Sequence, residues 1–256
     1  MIKISLRLDS ILLHMPVTIQ VALPQLLSYD NEKVKSVWCL HCAMADGDLF
    51  LDRLNLLDLV EDKKFAVICP SLPNSHFVNS EKGNYADFLE LELYPYLHSV
   101  LPLSTKREDN ICLGISMGAF GALLLSLKNP NFFSKVICIS GYYDFRFEVD
   151  PNIQKQRKSN LLLKLIQPSL QKAVKDSNGD IKEDCDISKL ISKISTKDKC
   201  PEFNLLCGNN DLLSKKQSTI VVEMLQKKGL KTDFFLINGE HDIKTWRKCI
   251  EHAFYN

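Results

Sequence analysis

The chain has 256 residues, of which 45% are hydrophobic and 25% charged. That excludes a disordered chain, a fibrous repeat and a small disulfide-stapled scaffold, and it suits one large α/β domain. Lys and Arg number 32 and Asp and Glu 31, so the net charge of +1 draws the chain to neither nucleic acid nor an anionic membrane.

The first residues alternate. Ile2, Ile4, Leu6 and Leu8 are apolar, with polar residues between them, which is a half-buried strand. Val17–Leu23 is a second strand, stopped by Pro24, and the two form an antiparallel edge hairpin. Then come short, nearly continuous apolar runs at Val34–Leu40, Phe65–Cys69, Asn110–Leu113, Lys135–Ile139, Phe203–Cys207 and Asp233–Ile237. Such runs read as strands buried on both faces. Helical patterns separate them, at Tyr85–Leu101, Ala119–Leu127, Ser218–Lys228 and Asp242–Tyr255. In the first of these the apolar positions 85, 88, 89, 93, 96, 97 and 100 share one face. Strands alternating with helices predict a doubly wound, mostly parallel sheet.

Residues 145–200 break the rhythm, with 12 Lys and Arg against 8 Asp and Glu. Asn160–Leu170 and Ile187–Ile194 read as helices, joined by a polar turn at Asp176–Asp180. The stretch is too short for a domain and too long for a crossover. It is expected to be a helical cap inserted in a single domain spanning 1–256. Its positive bias reads as a solvated face.

The nine cysteines sit mostly in apolar runs and read as buried thiols in a reducing, cytoplasmic compartment. Cys39 and Cys42 form a C-x-x-C, but no second pair follows at zinc spacing, so no metal is expected. No apolar run is long enough to span a membrane.

Gly114-Ile115-Ser116-Met117-Gly118 carries the chemistry. It lies between an apolar strand and a small-residue helix, the strand–turn–helix setting of a nucleophile elbow. Ser116 is the expected nucleophile, with the Met117 N–H facing the developing oxyanion. The base belongs in the loop after the last strand, where His241 stands. His98 and His252 lie within helices. The acid belongs after an earlier strand. Asp211 follows Gly208-Asn209-Asn210 and completes the order Ser, Asp, His, while Asp144 is the competitor. Asp242 adjoins the base and is poorly placed to reach its imidazole. The second oxyanion donor is expected from the loop after the strand ending at Leu40. Ala43 is the assigned donor there, and His41 is expected to hold the loop.

The runs LHCAMADGDLFL, FAVICPSLPNSHF, GNYADFLELELYPYL, GISMGAFGALLLSL, CGNNDLL and NGEHDIKTWRKCI resemble the tributyrin esterase and esterase D branch of the α/β-hydrolases. S-formylglutathione hydrolases and some feruloyl esterases belong to the same group. The resemblance implies an α/β-hydrolase fold and cofactor-free hydrolysis of short-chain acyl esters, that is, a serine carboxylesterase acting on a small-molecule ester. It matches Ser116, Asp211 and His241 to the triad, and Ala43 and Met117 to the oxyanion donors. Three departures from the family pattern stand out. Cys42 replaces a Gly after the loop histidine, and Ala119 replaces a second Gly after Ser-Met-Gly. His76 and Phe77 replace a Trp-Tyr pair at the substrate pocket. An acyltransferase on the same triad, or a hydrolase-fold binding protein with a loop displaced by Cys42, are the competing readings. The oligomeric state, including a homo-oligomer, is open at this level.

Overall fold

The computed structural model describes residues 1–25, 33–143, 171–195 and 200–255. Asp144, the expected helix at 160–170 and most of the expected cap lie outside these residues. Strands β1 (Ile2–Ser10) and β2 (Met15–Leu23) pair antiparallel, Ile2 opposite Leu23 and Ser10 opposite Met15. β3 (Ser36–Leu40), β4 (Ala66–Pro70), β7 (Asn110–Ile115), β8 (Lys135–Ile139), β9 (Glu202–Gly208) and β10 (Thr232–Ile237) continue the sheet. A separate short ribbon pairs β5 (Asn79–Ser80) with β6 (Gly83–Asn84). The eight-stranded sheet runs β1-β2-β4-β3-β7-β8-β9-β10. β2 meets β4 antiparallel, and every pair from β4 to β10 is parallel.

Period-two alternation sends neighbouring residues to opposite faces. Trp38, Cys112, Val136 and Phe203 enter one core with Phe120 and Leu123 of helix α4 (Met117–Lys128). Val37, Leu113, Ile137 and Leu206 enter the other. Helix α1 (Leu56–Val60) and the last helix, Ile243–Tyr255, cover that second face. The central strands of the sheet are therefore buried on both sides, as their apolar runs require.

Two expectations need correction. Among the described residues β10 is an edge strand with a single neighbour, and Phe235 and Leu236 are exposed, so its apolar run does not mark burial on both faces. The segment 85–100 is not one regular α-helix. It begins as α2 (Tyr85–Asp87), passes through a π-helical stretch at Phe88–Leu93 and ends as α3 (Tyr94–Val100). The wider π turn rotates the following residues off the 3.6-residue register. Leu89, Leu93 and Leu97 stay buried, while Tyr96 and Val100 face solvent. Within the stretch, Glu92 anchors the first hairpin, accepting from Ser10 Oγ at 2.7 Å and from the N–H groups of Ile11 and Leu12 at 2.8 and 3.1 Å.

Beyond β8, helix α5 (Ile187–Lys193) is capped by Asp186, whose carboxylate accepts from the Ser188 and Lys189 N–H groups. Its Ile187 and Ile191 join the α4 side of the core. The turn expected at Asp176–Asp180 closes through Asp176 N–H donating to the Asp180 carbonyl at 2.8 Å. Helix α6 (Lys215–Lys227) follows β9, and α7 (Ile243–Tyr255) follows β10. No helix among the described residues is long and apolar enough to cross a membrane.

The chain leaves β3 toward β4 on one side and returns through β7 on the other. The loops after β3 and β7 thus leave the carboxyl ends of their strands in opposite directions along the sheet. This switch point is where open α/β sheets bind ligands.

Candidate active site

Ser116 sits between β7 and α4 with φ 54° and ψ −110°, a conformation that L-residues rarely adopt. Backbone of this kind costs on the order of 1–3 kcal/mol and persists only where its surroundings over-determine it. Here the Ser116 N–H donates to the Ile139 carbonyl at 2.8 Å, and the Ser116 carbonyl accepts from Ala119 N–H at 3.1 Å. The flanking glycines let the turn close. A Cβ on Gly114 would stand 2.1 Å from the Gly118 carbonyl oxygen, and one on Gly118 would stand 1.9 Å from that of Leu40.

His241 Nε2 lies 3.1 Å from Ser116 Oγ, and its Nδ1 lies 2.9 Å from Asp211 Oδ2. Burial would raise the Asp211 carboxyl. The hydrogen bond and charge of His241 and the hydrogen bond from Ser214 outweigh it and hold the group below its usual value. The carboxylate is therefore ionised and can only accept. Nδ1 must carry the imidazole proton, which leaves Nε2 bare to accept from the serine hydroxyl. The Asp211 side chain is fully buried, while that of His241 is 25% exposed. The pair is thus shielded behind and reachable in front. Trp246 meets the His241 ring edge to face, at 5.2 Å and 88°.

The loops bearing Asp211 and His241 are tied to each other. Asn209 Oδ1 accepts from Gly239 N–H at 3.1 Å, and Asn210 N–H donates to the Gly239 carbonyl at 3.0 Å. A Cβ on Gly208 would stand 2.4 Å from that same carbonyl oxygen. Asp242 accepts from Thr245 N–H at 2.7 Å at the start of α7, facing away from the role of acid.

The loop after β3 is pinned to the loop after β4 by three bonds. Leu72 N–H donates to His41 Nε2 at 3.1 Å, Met44 N–H to Asn74 Oδ1 at 2.8 Å, and Gly47 N–H to Ser71 Oγ at 3.0 Å. Since Nε2 accepts, His41 Nδ1–H donates to the Cys42 carbonyl at 2.8 Å, and the ring is neutral. Burial lowers its pKa, so it stays so. His41 holds the loop, as expected. Among the described residues, the N–H groups of Ala43 and Met117 make no hydrogen bond, which leaves both donors open.

Cys42 does not adopt a left-handed backbone; Met44 does, at φ 62°. The replaced glycine therefore costs no strain at position 42. The thiol packs in the core, where burial pushes it up to about 11. It is a protonated, inert group. All nine cysteines are free. No group of three or more His, Cys, Asp or Glu is arranged to hold a metal among the described residues.

His76 and Phe77 are both buried and both left-handed, at φ 54° and 59°. His76 meets Phe120 edge-on at 5.3 Å, and Phe77 meets His41 edge-on at 5.3 Å. They pack between the loop at 41–47 and α4. Ser71, Asn74, Asn209, Ser214 and Trp246 are contributors that sequence reasoning passes over. Only the polar residues beside the acid in GNND give a local hint of theirs.

The Esterase family model matches residues 13–254. The chain belongs to the Esterase family. An acetyl esterase of Caldicellulosiruptor saccharolyticus is 26% identical over 229 residues, covering 88% of this chain and 84% of the relative. Among solved structures, the Staphylococcus aureus serine hydrolase FphF superposes with a TM-score of 0.82 at 24% identity, over 99% of this chain and 96% of that one. The S-formylglutathione hydrolase FrmB of the same species does so at 0.77 and 25%, over 99% and 97%. The fold is thus that of the α/β-hydrolases, and the protein is a serine carboxylesterase whose substrates are small-molecule esters.

Proposed function

We propose that Ser116, His241 and Asp211 are the catalytic triad of this esterase, that Ala43 and Met117 N–H groups bind the oxyanion, and that short acyl esters, acetate among them, are the substrates. The observation that carries this reading is the unbroken hydrogen-bond series from Ser116 Oγ through His241 to Asp211. Ser116 Oγ attacks the ester carbonyl while His241 Nε2 takes its proton. The tetrahedral oxyanion is held by the two N–H groups, each worth roughly 3–4 kcal/mol in the transition state. His241 then protonates the leaving alcohol, and the acyl-serine forms. Water, deprotonated by His241, attacks this acyl group and releases the acid and free Ser116. Asp211 holds the imidazole tautomer and balances the imidazolium charge throughout.

The acetyl esterase relative supports a short acyl group. His76 and Phe77 bear on the pocket from behind in this reading: their buried rings hold the oxyanion loop and α4 in register. All three triad residues come from one chain, so the chemistry requires no homo-oligomer. The free thiols support a reducing, cytoplasmic compartment. The near-neutral charge supports no nucleic-acid partner. The whole chain, 1–256, is one hydrolase domain in this account, with 145–200 inserted as the cap.

Ser116→Ala is expected to lower hydrolysis of p-nitrophenyl acetate on the order of 10⁶-fold while leaving the circular dichroism spectrum unchanged. Hydrolysis at the wild-type rate in that variant would refute the assignment. A series of p-nitrophenyl esters from acetate to decanoate should show kcat/KM falling with chain length.

A further inference from the structure

Ser214 opens helix α6, where a serine ordinarily turns its hydroxyl into the first turn of its own helix. It makes no such bond here. The hydroxyl instead donates to Asp211 Oδ2 at 2.5 Å, the same oxygen that accepts from His241 Nδ1. The other oxygen, Oδ1, accepts from the N–H groups of Leu213 and Ser214 at 3.1 and 3.0 Å. Ser214 is completely buried and Asp211 nearly so.

We propose that Ser214 is a positioning residue for the catalytic acid, its hydroxyl fixing Asp211 Oδ2 on the line that His241 Nδ1–H requires. The inference rests on the triad reading above. Without the hydroxyl, the carboxylate is anchored to its own loop through Oδ1 alone, Oδ2 keeps only the His241 bond that it has to orient, and the group can swing more freely about its Cβ–Cγ bond. The titratable groups facing it are His241 from the loop after β10, Cys207 of β9 and Cys249 of α7. Burial holds both thiols protonated, at about 12. They supply no charge that could take over the anchoring.

The test compares wild type with Ser214→Ala, Ser214→Thr, Ser214→Val and Asp211→Asn. Thr and Val are nearly isosteric and differ in the hydroxyl, so the pair remains informative if Ser214→Ala fails to fold. Loss of one hydrogen bond to a charged group predicts that kcat for p-nitrophenyl acetate falls about tenfold in the Ala and Val variants, with KM unchanged. Ser214→Thr should keep most of the wild-type kcat. The downfield proton resonance of His241 Nδ1–H reports the bond to Oδ2 directly. It should persist in wild type and Ser214→Thr, and shift upfield or exchange away in Ser214→Ala and Ser214→Val. Wild-type kcat and an unmoved resonance in Ser214→Val, with Asp211→Asn inactive, would overturn the role of Ser214 alone. Full activity in Asp211→Asn would overturn the triad reading itself.

Discussion

Gly118→Ala perturbs the point where nucleophile and oxyanion loop are held together. Gly118 is the second residue of α4, and a Cβ built there stands 1.9 Å from the Leu40 carbonyl oxygen and 2.8 Å from that of His41. Both obstacles are backbone, so no side chain can rotate away. Relieving the first contact from 1.9 Å to the 3.0 Å that real side-chain carbons respect requires α4 and the end of β3 to part by about 1.1 Å. Gly118 directly follows Met117 and Leu40 lies three residues before Ala43, so the shift bears on the spacing of the two proposed donors. A misplacement of about 1 Å in reacting geometry can cost roughly 10²-fold. The same overlap in a packed core costs about 1–3 kcal/mol, or roughly 2–12 °C in Tm for a chain of this size. The assay is kcat and KM with p-nitrophenyl acetate alongside thermal melting, with the labelling rate of Ser116 by a fluorophosphonate as a substrate-independent readout. The expected result is a kcat loss of about 10²-fold in a protein that remains folded at 25 °C. A kcat within twofold of wild type at unchanged Tm would refute the claim that this contact sets the distance between the two donors.

The buried His76 ring gives a pH signature. Burial lowers its pKa from 6.5 to about 3, so the unfolded chain takes up the proton first as the pH falls. Its stability cost is absent above the unfolded value and grows by about 1.4 kcal/mol per pH unit below it, reaching roughly 2 kcal/mol by pH 5. His76→Asn, which tolerates the left-handed backbone, should flatten the dependence of the urea midpoint between pH 7 and 5; equal slopes in both proteins would contradict this. Glu92→Ala removes the acceptor for Ser10, Ile11 and Leu12 and is expected to cost about 1–2 kcal/mol at neutral pH. Burial would raise the Glu92 carboxyl, but those three bonds outweigh it and hold it below 4.5. Its contribution is therefore present above that value and lost as the pH falls through the lower, folded one. The Tm difference between Glu92→Ala and wild type should shrink in acid, and a difference that stayed constant would exclude the charged form as the cause.

The residues that could be read from the chain alone are those whose chemistry is local. Gly114-x-Ser116-x-Gly118 announces itself because a strained turn, two close backbone approaches and a helix start all fall within five positions. His241 and Asp211 follow from strand order. What escaped is non-local. Nothing near Asn74 in sequence says that it accepts from Met44, and nothing in Lys215-Lys216-Gln217 says that the serine before it turns backward to Asp211. Strand β10 misled because hydrophobicity reports affinity for a core, not position in the sheet; as the last strand it had no neighbour to cover Leu236. The periodicity of 85–100 failed at its C-terminal end because the π-helical residues 88–93 change the angular step, which no composition reveals. Cys42, suspect as a missing glycine, carries no left-handed strain because the left-handed residue of that loop is Met44, two positions on.

The proposed nucleophile and the proposed base do not share the same security. Ser116 follows β7, which has strands on both sides and both faces covered. His241 follows β10, which among the described residues pairs with β9 alone and leaves Phe235 and Leu236 exposed. Local opening is easiest where buried contacts are fewest. The margin of the sheet can therefore fray and carry the imidazole away while the centre, and the serine with it, stays intact. On the triad reading such a molecule is native by most measures and chemically silent, and the hydrogen bonds that join Asn209 and Asn210 to Gly239 are what hold the two loops against it.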